Sequence, residues 1–186
     1  MDYKLTSEES LTQLLHTKKV FTWNEAVAYI QCIPYGRNAS RTDFSLVITE
    51  NKGTCSSKHA LLKEIAIQNH IPNVELIIGL YEMNSSNTPG IGNVLPQTNL
   101  DFIPEAHCYL KINGRYLDIT TKEAEFDKIK NVILSEIEIE PCQVGDFKIQ
   151  YHQEFLKNWL AESGLELTFE ALWNIREKCI TNLSSH

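Results

Sequence analysis

Apolar positions in the first third of the chain recur at helical spacing. Thr6 and Glu9 spell a capping box ahead of Leu11, Leu14 and Leu15, and Thr22 and Glu25 spell a second ahead of Ala26, Val27 and Ile30. Two short amphipathic helices are therefore predicted within residues 6–32. Ile33-Pro34-Tyr35-Gly36-Arg37-Asn38 breaks the pattern, as proline and glycine this close do. Asp43 is placed to cap a third short helix through Leu46 and Val47, ending near Asn51-Lys52-Gly53. The helical period returns at Cys55, with Lys58, Leu61, Leu62, Ile65 and Ala66 on one stripe. This helix is expected to run to about Asn69, short of Ile71-Pro72.

The period then changes from helix to strand. Val74-Glu75-Leu76-Ile77-Ile78-Gly79-Leu80-Tyr81 is a nearly continuous apolar run of strand length, followed by a long connection over 84–105 rich in Gly, Pro and Asn. A connection of that length is either a lid or binding loop, or a floppy surface insertion. Residues 107–120 read as two strands around Asn113-Gly114, a strong hairpin signal. With a two-residue turn, Ile112 faces Arg115, and the count carries outward to Tyr109 facing Asp118 and Cys108 facing Ile119. Side chains alternate along strands, so His107, Tyr109 and Asp118 share one face and His107 and Asp118 are diagonal neighbours. Residues 132–140 alternate as a half-exposed strand stopped by Pro141, and two helical patterns follow, around Phe155, Trp159 and Leu160 and after Thr168.

Composition narrows the class. A chain of 186 residues with 42% hydrophobic content suits a single domain over 1–186. The first ten residues contain no apolar run of signal-peptide type, and no stretch approaches the roughly 18 apolar residues of a membrane span. The expectation is a soluble, cytoplasmic protein with no membrane partner. A formal charge of −7 without any Lys/Arg block argues against nucleic acid. Five cysteines, Cys32, Cys55, Cys108, Cys142 and Cys179, form no C-x-x-C pair and suit reduced thiols.

One cysteine stands apart. In Gly53-Thr54-Cys55-Ser56-Ser57 a turn runs into a helix, where unpaired backbone N–H groups and the positive end of the macrodipole favour a thiolate. A thiolate at a helix start, a strand histidine and a carboxylate on the histidine's face are the parts of a thiol acyl-transfer site. Cys55 is the candidate nucleophile, His107 the acid and base, and Asp118 the group that orients the imidazole. Backbone N–H groups at the helix start are candidate oxyanion donors.

The stretch from Tyr35 to Thr120 resembles the transglutaminase-like domain family, relatives of the papain-like cysteine proteases. The resemblance rests on Tyr35-Gly36-Arg37, Gly53-Thr54-Cys55, Ile71-Pro72, His107-Cys108-Tyr109 and Asp118-Ile119-Thr120, in that order. Departures are Tyr109 where the family commonly has Trp, His70 where a glycine precedes Ile-Pro, and a shorter interval between His107 and Asp118. The resemblance implies an α+β, cysteine-proteinase-like fold: a motif core over 35–120 whose Cys-bearing helix packs on an antiparallel sheet, N-terminal helices over 6–32, and a C-terminal strand and helical extension over 121–186. It implies no cofactor and no metal, and it makes Tyr35 a candidate oxyanion donor. Thr54, Ser56, His59 and Tyr109 complete the candidate oxyanion and substrate positions.

Other readings compete. His59, one turn after Cys55, is an alternative base without an evident carboxylate, or a packed histidine. Cys55, His59, His107 and Cys108 contain zinc-ligand types, but their spacing is poor and Cys108 points away from His107. Cys32, Cys108, Cys142 and Cys179 are read as core, and Trp23, Trp159 and Trp173 as packing. Lys58 and Arg37 are read as solvated charges, with attraction of an anionic substrate as the alternative. The expected activity is acyl transfer on a peptide, protein or small amide substrate. The alternatives are a catalytically silent domain that binds a protein or peptide, and a thioester-dependent N-acyltransferase.

Overall fold

The structure, a computed structural model, describes residues 2–183. It is α+β. Helices α1 (Ser10–Thr17), α2 (Trp23–Cys32), α3 (Ser45–Thr49) and α4 (Cys55–Gln68) precede strands β1 (Val74–Met83), β2 (Ile103–Ile112), β3 (Arg115–Leu117) and β4 (Ile133–Ile139). Helices α5 (Asp146–Ser163) and α6 (Phe169–Leu183) close the chain. The strands form one antiparallel sheet in the order β3-β2-β1-β4. No helix among the described residues is long and apolar enough to cross a membrane.

Local chemistry sets the helix starts. Thr22 and Glu25 make the expected capping box on α2, and Thr54 and Ser57 make another on α4. The expected box at Thr6 and Glu9 does not form. Helix α1 starts at Ser10 without a side-chain cap, because the N–H groups of Thr6 and Ser7 donate instead to Asn69 Oδ1 at 2.7 and 3.0 Å. A long-range bond to the end of α4 has displaced the local one. Asp43 binds the N–H and hydroxyl of Ser45, so α3 begins one residue later than a cap at Asp43 implies. Past α4, His70 adopts φ 52°, the left-handed region that favours the glycine of the resembling family.

Helix α4 buries more than a stripe. Ala60, Leu61, Leu62, Ile65 and Ala66 are all at 0–1% exposure, joined by Lys58 and His59. They pack with Val74, Leu76, Ile78 and Leu80 of β1 and Ala106, Cys108 and Leu110 of β2, one face of the sheet. The other face, at the Tyr81, Met83 and Ile103 end, packs against Leu172, Ile175, Cys179 and Ile180 of α6. The long connection belongs to this second cluster. Strand β2 begins at Ile103, and Ile91, Leu95 and Leu100 from the connection are buried under α6. It is a packed element, and the floppy-insertion reading is corrected.

The hairpin register is as expected from the Asn-Gly turn, with Ile112 opposite Arg115 and Leu110 opposite Leu117. Pairing stops there, so Asp118 and Ile119 are not strand partners of Tyr109 and Cys108. The chain leaves the edge of β2 at this point, so β3 pairs only with Leu110 to Ile112 of it. Two further assignments change: Cys32 and Cys142 are exposed rather than core, and Lys58 is fully buried rather than solvated. Lys58 donates to the carbonyls of Ile33 and Thr120, the latter at 2.8 Å, which ties the end of α2 and the Asp118-Ile119-Thr120 segment to α4. Burial brings its ammonium down to about 8.

Candidate active site

Cys55 is the first residue of α4, preceded by the capping residue Thr54. A parallel bridge between Tyr35 and Gly53 holds the entry: Gly36 N–H donates to Gly53 O, and Gly53 N–H to Pro34 O. This places Tyr35 and Cys55 on the wall of the same two cavities. His107 comes from β2, on the face opposite Cys108, and it meets Cys55 around the edge that β3 leaves open.

His107 and Asp118 are hydrogen-bonded, Nε2 to Oδ2, at 2.7 Å. Although Asp118 lies beyond the paired strand, its carboxylate is fixed locally. Thr120 donates to Oδ1 through both its N–H, at 2.9 Å, and its hydroxyl, at 2.6 Å. With Nε2 committed to Asp118, Nδ1 is the ring nitrogen left over, and Cys55, His107 and Asp118 line one cavity, close enough for the charges of Cys55 and His107 to act on each other. The three side chains are at 9%, 14% and 8% exposure for Cys55, His107 and Asp118, so their charges interact with little screening by water.

The electrostatics favour a thiolate and an imidazolium. Burial pushes the Cys55 thiol up, but Lys148, His107 and the N–H of Cys108 overcome it and bring it down to about 6. Burial alone would lower the His107 imidazole; Asp118 and Cys55 instead raise it well above its ordinary value. Asp118 is held far below the carboxylate range, burial being outweighed by His107. Burial, then the Cys55 charge, raises the Tyr35 phenol, so that hydroxyl stays protonated and able to donate. The N–H of Ser57 goes to Thr54 Oγ1, leaving those of Cys55 and Ser56 as the first-turn donors at the helix start.

The remaining candidates fall in different places. His59 is packed. Its Nδ1–H donates to Cys55 O at 2.7 Å and its Nε2 accepts from Ile119 N–H at 2.9 Å, which fixes a neutral tautomer. A carboxylate is near after all, Asp118 Oδ1 at 3.7 Å, yet burial holds the ring down at about 4. It buttons the Asp118 segment to the start of α4 and is not a competing base. Ser56 accepts from Lys148 Nζ at 2.7 Å, and Thr54 caps the helix. Tyr109 does not line either cavity that Cys55 lines. It is buried over Gly79, where a Cβ would sit 2.5 Å from its hydroxyl, and that hydroxyl donates to Glu136. The candidate zinc set does not gather, since Cys108 faces the main core. Among the described residues no group of three or more His, Cys, Asp or Glu is arranged around a metal position.

Lys148 is the residue the motifs missed. It projects from α5 to within 3.9 Å of Cys55 Sγ and is 9% exposed. The signal in the sequence was a lysine and a histidine, Lys148 and His152, in line at helical spacing with Leu156 and Trp159 on a core-facing stripe. Glu105 and Arg176 were missed too. Glu105, on β2 two residues before His107, is buried and bound by two nitrogens of Arg176 from α6.

Cys55 lies where two cavities meet. One of 260 Å³ is lined by polar groups including Glu105, Lys148, His152 and Arg176. The other, of 570 Å³, runs past His107, Tyr81, Met83 and Ile129. The chain matches no protein-family model, no curated protein and no solved structure.

Proposed function

We propose that this protein is a thiol-dependent acyl-transfer enzyme of the transglutaminase-like kind, built on a cysteine-proteinase-like fold and acting on an amide or peptide carbonyl. The observation that carries the reading is the His107 ring, bonded to Asp118 at 2.7 Å through Nε2 and lining one cavity together with Asp118 and Cys55. Three separate stretches converge on it, in the chain order of the resembling family.

In this reading the Cys55 sulfur attacks the carbonyl carbon, forming the C–S bond and moving the carbonyl electron pair onto oxygen. The N–H of Cys55 and the Tyr35 hydroxyl bind that oxyanion. As it collapses, the C–N bond breaks and the amine leaves with the proton of His107, giving a thioester. His107, now neutral, takes a proton from water or from an acceptor amine as it attacks the thioester carbonyl; the C–S bond then breaks with its electron pair returning to sulfur, the acid or new amide leaves, and the thiolate and imidazolium are restored. Asp118 keeps the ring in position throughout.

The test uses p-nitrophenyl acetate, which acylates thiols without a specificity pocket. The wild type is expected to release p-nitrophenol in a burst and to gain one acetyl mass mapped to Cys55, and Cys55→Ser to lose both. Acetylation spread evenly over Cys32 and Cys142, with none on Cys55, would contradict the proposal. Replacing water by an added alkylamine then reports whether hydrolysis or transamidation resolves the thioester.

A further inference from the structure

The charges on the wall of the 260 Å³ cavity do not balance. Lys148, Arg176, Arg37 and Arg41 line it against only Glu105 and Glu177, in a chain whose formal charge is −7. Both carboxylates are already engaged. Arg176 donates to each of them, and Arg37 donates to Glu177 at 2.9 Å. That leaves two cations. Arg41 has no ion pair or hydrogen bond among the described residues, and Lys148 donates to the neutral Ser56 hydroxyl and to the sulfur of Cys55. The start of α4 adds positive potential, since Thr54, Ser56 and Ser57 lie on the same wall.

Lys148 faces two anions, the Cys55 thiolate and Glu105, and Glu105 is already held by Arg176. Once Cys55 is a thioester its sulfur is neutral, and the buried Lys148 ammonium loses the anion 3.9 Å away. What then remains to Lys148 is the neutral Ser56 hydroxyl and a Glu105 carboxylate shared with Arg176, so an acyl-enzyme that brings its own anion is stabilised relative to a neutral one. An anion on the acyl group would replace the lost charge.

We infer that the 260 Å³ cavity is a subsite for a carboxylate on the acyl half of the substrate, bound between Lys148 and Arg41 beside Cys55. The inference rests on the acyl-transfer reading and gives it a substrate class, amides or peptides with an acidic acyl group. The carboxylate is either a side chain or a chain terminus.

Iodoacetate and iodoacetamide test it, being nearly the same size and differing in charge. Their alkylation rates are compared at Cys55 and, as an internal reference, at the exposed Cys142 by peptide mass mapping. The iodoacetate-to-iodoacetamide ratio is expected to be about tenfold higher at Cys55, the effect of about 1.4 kcal/mol, and to fall in Arg41→Gln and in Lys148→Met. A ratio at Cys55 no higher than at Cys142, or one undiminished in both variants, would overturn the subsite. Iodoacetamide alkylation alone reports on the nucleophile, so the two readings fail separately. Protection of Cys55 by N-acetylglutamate α-amide assigns the side-chain carboxylate, and protection by N-acetylglutamine the terminal one. Protection by neither at millimolar concentration also overturns the inference.

Discussion

A buried ammonium beside a sulfur stabilises the thiolate by an attraction that water no longer screens. Lys148 is such a group at Cys55, and it acts together with His107 against the cost of burial. Lys148→Met is therefore expected to raise the Cys55 pKa above about 6 by about one pH unit or more, since opposite charges at this range shift a pKa by roughly 1–3. The alkaline displacement of the alkylation profile measures it. An unchanged midpoint would leave His107 and the Cys108 N–H as the sources of the shift. At this scale Cys55, His107 and Asp118 were legible because each is a reactive type at a marked place: a helix start, a strand, and the strand across a tight turn. Lys148 was not, because 93 residues separate it from Cys55 and no local pattern links an α5 stripe to an α4 terminus. Lys58 misled for a similar reason. Its partners are backbone carbonyls of Ile33 and Thr120, which carry no side-chain signature.

Among the elements, α4 and the hairpin decide the site. The Thr54 hydroxyl accepts from Ser57 N–H and the Ser57 hydroxyl accepts from Thr54 N–H, which fixes the first turn of α4. Thr54→Ala is expected to cost about 1 kcal/mol in urea unfolding, and no loss of stability would mean the cap is redundant with the Tyr35 and Gly53 bridge. Helix α4 and the β1 run were legible from period alone, and the hairpin register from Asn113-Gly114. The extension of that register to Asp118 was not correct, and the triad partner arrived by another route. Strand pairing stops at Leu117, and an Asp-x-Thr turn and the His59 bond to Ile119 hold Asp118 against His107. The displaced start of α1 belongs to the same class of error, because the Asn69 amide that competes with the local cap is more than 60 residues away.

Across the whole molecule, two apolar clusters meet at the cleft, and a buried ion pair spans their junction. Arg176 of α6 holds Glu105 of β2 down at about 2, against burial that would raise it. A depressed carboxylate contributes stability that is fully present above its unfolded value of about 4.3 and is lost as pH falls toward the folded value. Arg176→Leu leaves that carboxylate buried without its partner, so a loss of about 3–5 kcal/mol at pH 7 is expected. The deficit against the wild type should narrow below about pH 5, where Glu105 of the variant takes up a proton. Urea unfolding at pH 7 and pH 4.5 checks both, and a deficit independent of pH would mean that lost packing of Arg176 dominates. The docking of α6 over the long connection was beyond sequence reasoning, since Ile91, Leu95 and Leu100 read as loop residues until the second cluster is seen around them.

Cys55 is expected to be a thiolate held by Lys148 and His107 together. This is tested most directly by the rate of iodoacetamide alkylation of each cysteine from about pH 5 to 9 in the wild type and in His107→Ala. Cys55 is expected to titrate near 6, and to move toward the ordinary thiol value of about 8.5 when the imidazole is removed. A Cys55 that is inert, or whose profile keeps the ordinary thiol midpoint of about 8.5 in both proteins, would rule this out.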